Sequence, residues 1–65
     1  MRISPERLRR QRQRLGLSQQ QLAARVGWKQ PNISRIESGR NDYPRLESIK
    51  RLAKALRCKV EDLCY

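Results

Sequence analysis

Residues 18–39 read Ser18-Gln19-Gln20-Gln21-Leu22-Ala23-Ala24-Arg25-Val26-Gly27-Trp28-Lys29-Gln30-Pro31-Asn32-Ile33-Ser34-Arg35-Ile36-Glu37-Ser38-Gly39, and this stretch decides the fold. Ser18 followed three residues later by Gln21 is a capping box, and Leu17 is placed to staple against Leu22. Leu22 and Val26 share one helical face, and Gly27 supplies the positive φ that ends a helix and turns the chain sharply. A further helix starts at Lys29 or Gln30, with Pro31 tolerated in its first turn, and runs to Ser38 before Gly39. Ala23 is small enough for the two helices to approach. Leu22, Val26, Trp28, Ile33 and Ile36 fill the angle between them, with Trp28 read as core or staple. The spacing predicts two short helices fixed as a rigid corner.

Working outward, Ser4-Pro5-Glu6 opens a first helix with a hydroxyl cap, a proline at the first position and an acid near the positive end of the dipole. Leu8 and Leu15 mark its apolar face, and Gly16 stops it. Arg12 falls on that face and asks for a partner. Beyond the loop Arg40-Asn41-Asp42-Tyr43, Pro44 introduces a fourth helix with the stripe Leu46, Ile49, Leu52, Ala53 and Leu56. A short fifth helix over about Val60–Cys64 would add Val60 and Leu63 to the core. No useful stretch alternates with period two, so no sheet is predicted. The expectation is one all-α domain spanning residues 1–65, a compact five-helix bundle.

The chain has 65 residues, and a core this small excludes only roughly 60% of the unfolded surface from water. Sixteen Lys and Arg against six Asp and Glu give +10. Residues 1–40 hold ten basic and two acidic residues, against six and four in residues 41–65. A field this positive draws a polyanion, but charge alone does not choose among DNA, RNA and an anionic membrane. Cys58 and Cys64 with no histidine cannot complete a structural zinc site; they read as free thiols with Cys58 in the core, a disulfide between them being the lesser alternative. No serine or cysteine has an evident base, and no glycine-rich loop cradles phosphate, so no enzyme, cofactor or small-molecule substrate is expected. The start of the chain lacks a secretory signal and no apolar run spans a bilayer, which predicts a soluble, cytoplasmic protein.

Residues 15–39, with Leu52-Ala53-Lys54-Ala55-Leu56, Val60 and Leu63, resemble the lambda-repressor and Cro family of helix-turn-helix proteins. The resemblance implies a five-helix bundle whose third helix enters the major groove of double-stranded DNA. It also implies a homodimer on a near-palindrome, with half-sites about 34 Å apart. By the same resemblance Arg12 pairs with Glu37 in a partly buried salt bridge that turns both side chains toward the phosphate backbone.

Lys29, Gln30, Asn32 and Arg35 are the expected base-reading residues. Gln and Asn match adenine through paired donor and acceptor atoms, and Lys and Arg match guanine. The resemblance singles out Gln30, braced by Gln19. Expected phosphate contacts are Gln19 with the first amides of the second helix, Arg12, Ser34, Arg35, Ser38, Arg40 and Asn41, and Arg45 at the backbone or minor groove. Arg7, Arg9, Arg10 and Arg14 either add diffuse attraction to phosphate or face solvent.

The chain departs from the family pattern in several places. Lys29 stands where a small hydroxyl cap is common, and Trp28 is larger than the usual aliphatic. Arg57-Cys58 stands where Gly-Val is frequent, and Lys59 where serine is frequent. The leading expectation is a transcriptional regulator of repressor type. A DNA-binding antitoxin is the alternative, although little sequence remains to grip a toxin. Non-specific RNA or membrane binding through the first helix is the third, and its thin apolar face argues against a membrane.

Overall fold

The computed structural model describes residues 2–41 and 44–65, so Asp42 and Tyr43 of the 40–43 loop lie outside the described residues. Among the described residues four α-helices follow in order: α1 (Pro5–Arg14), α2 (Gln19–Val26), α3 (Gln30–Glu37) and α4 (Leu46–Ala55). A single 3₁₀ turn, Val60–Asp62, comes last. The molecule measures 25 × 21 × 19 Å.

Local chemistry sets the helix ends. Ser4 Oγ accepts from the Arg7 N–H at 3.3 Å, with Pro5 at the first helical position. Around α2 the capping box is complete: Ser18 Oγ accepts from Gln21 N–H at 3.0 Å, and Gln21 Oε1 accepts from Ser18 N–H at 2.8 Å. Gly27 closes α2 at φ +76, a left-handed conformation that only glycine adopts at no steric cost. From there the Trp28 N–H reaches back to Ala23 C=O at 2.8 Å, which aims the chain into α3 after two residues. Neither Lys29 nor Arg45 caps its helix with a side-chain hydrogen bond.

The core is one cluster. Leu8, Leu22, Val26, Ile33, Ile36, Ile49, Leu52 and Leu56 are buried as their spacing requires. Removing each such side chain from water contributes about 1.5–3 kcal/mol. Trp28 and Leu15 are half-buried against this cluster. Leu46, placed on the α4 stripe by its spacing, is 46% exposed instead, because it begins the helix at the rim.

The fifth helix is not formed. Leu56 caps α4, Arg57 follows at φ +54, and only one 3₁₀ turn forms before the chain straightens. The last backbone groups bond to the start of the chain instead. Ser4 N–H donates to Leu63 C=O at 2.7 Å, Tyr65 N–H donates to Arg2 C=O at 3.1 Å, and Ile3 pairs with Cys64 in an isolated antiparallel bridge. Pairing with Ile3 needs extended backbone at Cys64, which a helix through that residue would not allow. The bridge buries Ile3 and Cys64, neither evident from periodicity, while Cys58 and Val60 are only half-buried. Burial raises the thiol pKa of both cysteines. The left-handed backbone at Arg57 costs about 1–2 kcal/mol relative to a residue without Cβ strain.

Arginines tie the helices together end to side. Arg9 of α1 donates to the C=O of Glu37, the last residue of α3, at 3.0 Å. Arg14 of α1 donates to the C=O of Leu56, which caps α4, at 2.8 Å, and Arg51 of α4 donates to the C=O of Val26, which ends α2, at 2.7 Å. Arg7 donates to the C=O of Cys64. Each guanidinium meets a carbonyl left without an intrahelical partner, at the negative end of a helix dipole or in the terminal bridge. Arg7, Arg9 and Arg14 each hold a carbonyl in this way while remaining exposed to solvent.

Candidate nucleic-acid interface

α3 turns Ile33, Ile36 and Glu37 inward and leaves Gln30, Asn32 and Arg35 exposed, with Ser34 half-buried between the two faces. Lys29, just ahead of the helix, is exposed, as are Ser38, Arg40, Asn41 and Arg45 beyond it. The spacing 33, 36, 37 gives the buried side, so the exposed side follows from 3.6 residues per turn.

Glu37 organises this surface from beneath. Its side chain is 2% exposed, and that of Arg12 is 13% exposed. Arg12 Nε donates to Glu37 Oε2 at 2.7 Å and Arg12 Nη2 to Oε1 at 2.9 Å, a bidentate pair. Arg12 Nη1 donates to Leu17 C=O at 2.7 Å. Arg9 Nε approaches Glu37 Oε1 at 3.6 Å from a more exposed position. The hydrogen bond to Glu37 outweighs the opposing effect of burial and raises the Arg12 pKa, so its guanidinium stays charged. The carboxylate is almost wholly enclosed while the guanidinium stays half-buried, and Arg12 keeps two N–H groups for any outside acceptor.

From Glu37 a chain of side-chain amides leads outward. Gln19 Nε2 donates to Glu37 Oε1 at 3.2 Å, and Gln19 Oε1 accepts from Gln30 Nε2 at 2.7 Å. A carboxylate can only accept, so it fixes which end of Gln19 points inward and, through Gln19, which end of Gln30 is held. Gln30 retains Oε1 and one N–H facing outward, which is the donor-acceptor pair adenine matches.

Two depressions flank α3. One is lined by Arg12, Ser18, Gln19, Gln20 and Gln30. The other lies between α3 and α4, where Trp28, Asn32, Arg35, Asn41, Arg45 and Ser48 converge. Of the expected residues, Arg12, Gln19 and Gln30 line the first, and Asn32, Arg35, Asn41 and Arg45 the second, while Lys29, Ser34, Ser38 and Arg40 line neither. Arg45 stands with Asn41 and Arg35, although its helix begins beyond Asp42 and Tyr43. Ser38 is differently placed: its Oγ donates to Arg35 C=O at 3.0 Å, closing α3, and would have to release that bond to donate to phosphate. Gln20 and Ser48 are not singled out by sequence, and Arg9, named there only with the other basic residues of α1, is not marked as a partner of Glu37. Arg9 precedes Arg12 by three residues on α1, and that i, i+3 spacing was the available signal.

Among the described residues no group of acidic, Cys or His side chains is arranged to hold a metal. No helix among them is long and apolar enough to cross a membrane.

The family model described as "Helix-turn-helix domain" matches residues 6–63. The HTH-type transcriptional repressor RghR of Bacillus subtilis (strain 168) is 42% identical over 60 residues, covering 92% of this chain and 44% of that protein. The chain spans less than half the length of the curated relatives it matches. The restriction-modification controller protein C.AhdI from Aeromonas hydrophila superposes with a TM-score of 0.82 at 33% identity, covering 89% of this chain and 83% of that one. The P22 c2 repressor in complex with a synthetic operator also superposes at 0.82, with 31% identity and coverage of 94% and 91%.

Proposed function

This chain belongs to the helix-turn-helix family of transcriptional regulators, and on that premise we propose that it binds double-stranded DNA sequence-specifically as a repressor-type regulator. In this reading α3 lies in the major groove. Gln30 grips adenine through its outward Oε1 and N–H, and Arg35 and Lys29 present donors suited to guanine. Asn32 reads a neighbouring base edge. Gln19, the first amides of α2, Arg40, Asn41 and Arg45 meet phosphates on either side and set the register of the helix in the groove. Ser34 and Ser38 stand at the edge of that contact. Arg12 contributes through Glu37 and through its two remaining N–H groups.

The observation that carries this reading is the chain Arg12–Glu37–Gln19–Gln30. A buried, charge-paired carboxylate holds one end of an exposed amide while the other end is left unused. Preorganisation of this kind lowers the ordering cost of a contact to a base edge. In this reading two copies of the chain bind a near-palindrome, which places two copies of α3 one helical turn apart.

Selection from a random duplex library, with the mass of bound and free protein measured, tests the proposal. The expected result is one near-palindromic consensus carrying two copies of the chain. Binding with no consensus, or to single strands in preference to duplex, would contradict it.

A further inference from the structure

The C-terminal ends of α2 and α4 meet around an open groove that shares no lining residue with the depressions beside α3. Arg25, Val26, Arg51, Lys54, Ala55 and Arg57 line it. Every charged residue among them is cationic. The ends of two helices bring about half a negative charge each, which leaves roughly three positive charges in excess. Among the described residues only Arg51 of the four has an acceptor, the C=O of Val26. This contrasts with Arg7, Arg9 and Arg14 of α1, whose guanidiniums are all engaged.

Arg57 gives a second, independent indication. It is the one non-glycine residue at positive φ among the described residues, at φ +54, a position where glycine would sit without strain. An arginine kept in a strained conformation, at the rim of a groove with three other cations, points to a use for its side chain. The apolar lining is only Val26 and Ala55, too small to seat the large apolar anchors of a protein helix. The groove therefore suits a ligand recognised by charge.

We infer that this groove binds the phosphodiester backbone of a second DNA duplex, so that one molecule bridges two duplexes. This rests on the reading of α3 as the first DNA contact. Arg25 lies six residues beyond Gln19 on α2, about 9 Å along the axis and about 240° around it, so it does not face the phosphate that Gln19 would meet. Arg and Lys contacts of this kind carry no sequence preference, and the second duplex is bound whatever its sequence.

Two measurements test the inference. The duplex selected for the protein is fixed to beads and saturated with the chain, and the retention of a labelled unrelated duplex is read. Wild type is expected to retain it. Arg25→Gln/Lys54→Gln/Arg57→Gly is expected to lose at least tenfold of that retention while binding the fixed duplex within twofold of wild type and melting no lower. No retention by wild type, or a parallel loss on the fixed duplex, overturns the inference. Independently of any selected sequence, an unrelated duplex of about ten base pairs is titrated into isotope-labelled protein. Movement of the Arg25, Ala55 and Arg57 amide signals that the triple variant abolishes supports the second site. Movement confined to α3, or groove signals that respond to polyglutamate and not to duplex, overturns it. If the selection fails but the groove signals move, the α3 reading is at fault and the groove stands.

Discussion

Gln19 Nε2 and Arg12 Nη2 donate to the same carboxylate oxygen, Glu37 Oε1, at 3.2 and 2.9 Å. The interior of the domain is thereby connected to its surface through one atom. Gln19 turns its amide nitrogen inward to the carboxylate oxygen and its own oxygen outward, and Gln30 is then held by its nitrogen. The orientation of the exposed amide is set by a buried charge.

Gln19→Leu should separate orientation from folding. Gln19 lies at the start of α2, is only half-buried and is no part of the apolar cluster, so thermal melting should change little. Discrimination at the base pair read by Gln30 should fall by about 1 kcal/mol, the value of one hydrogen bond. Binding to duplexes carrying each of the four base pairs at that position measures it. Unchanged discrimination would show that Gln30 needs no brace.

Breaking the Arg12–Glu37 pair from one side should be costly. Glu37→Ala leaves Arg12 enclosed without its carboxylate and also removes the ion-pair partner of Arg9, for a loss of about 3–5 kcal/mol in stability. Arg12→Met/Glu37→Leu should melt above Glu37→Ala, since no unpaired charge stays buried. Denaturant unfolding of both checks the order. Arg9→Ala should cost less, because its side chain is 49% exposed and its contribution is screened by water.

The thiols give a pH dependence with a fixed sign. Burial raises the folded pKa of Cys64 and Cys58, so the unfolded chain loses these protons first. Their contribution is fully present below the unfolded thiol value, about 8.5, and is lost as pH rises from there through the folded values. Melting temperature should therefore fall as pH rises past about 8.5, and Cys58→Ala/Cys64→Ala should lose less over the same interval. Equal slopes for the two proteins would rule out a thiol origin.

The corner between α2 and α3 was legible because its signals are local. The Ser18–Gln21 box, Gly27 and the apolar spacings each act within a turn or two, and they placed both helices to within a residue. The Arg12–Glu37 contact became visible only through resemblance, since nothing local marks a partner 25 residues away. Val60 and Leu63 keep helical spacing, but Leu63 C=O and Tyr65 N–H bond to Ser4 and Arg2, and the extended pairing at Cys64 replaces the expected final helix. A bridge of one residue pair is too short to leave a period in the sequence, so Ile3 went unnoticed as core. The arginine struts were hidden for a related reason: an acceptor on a distant helix end has no side-chain signature.

Binding of Gln30→Ala to the selected duplex, and to the three duplexes differing from it at one base pair, tests the central claim most directly. If the exposed amide reads a base, the variant loses about 1–3 kcal/mol on the selected duplex and becomes indifferent to which of the four pairs stands there. Losses of equal size on all four duplexes, with the preference intact, would contradict it.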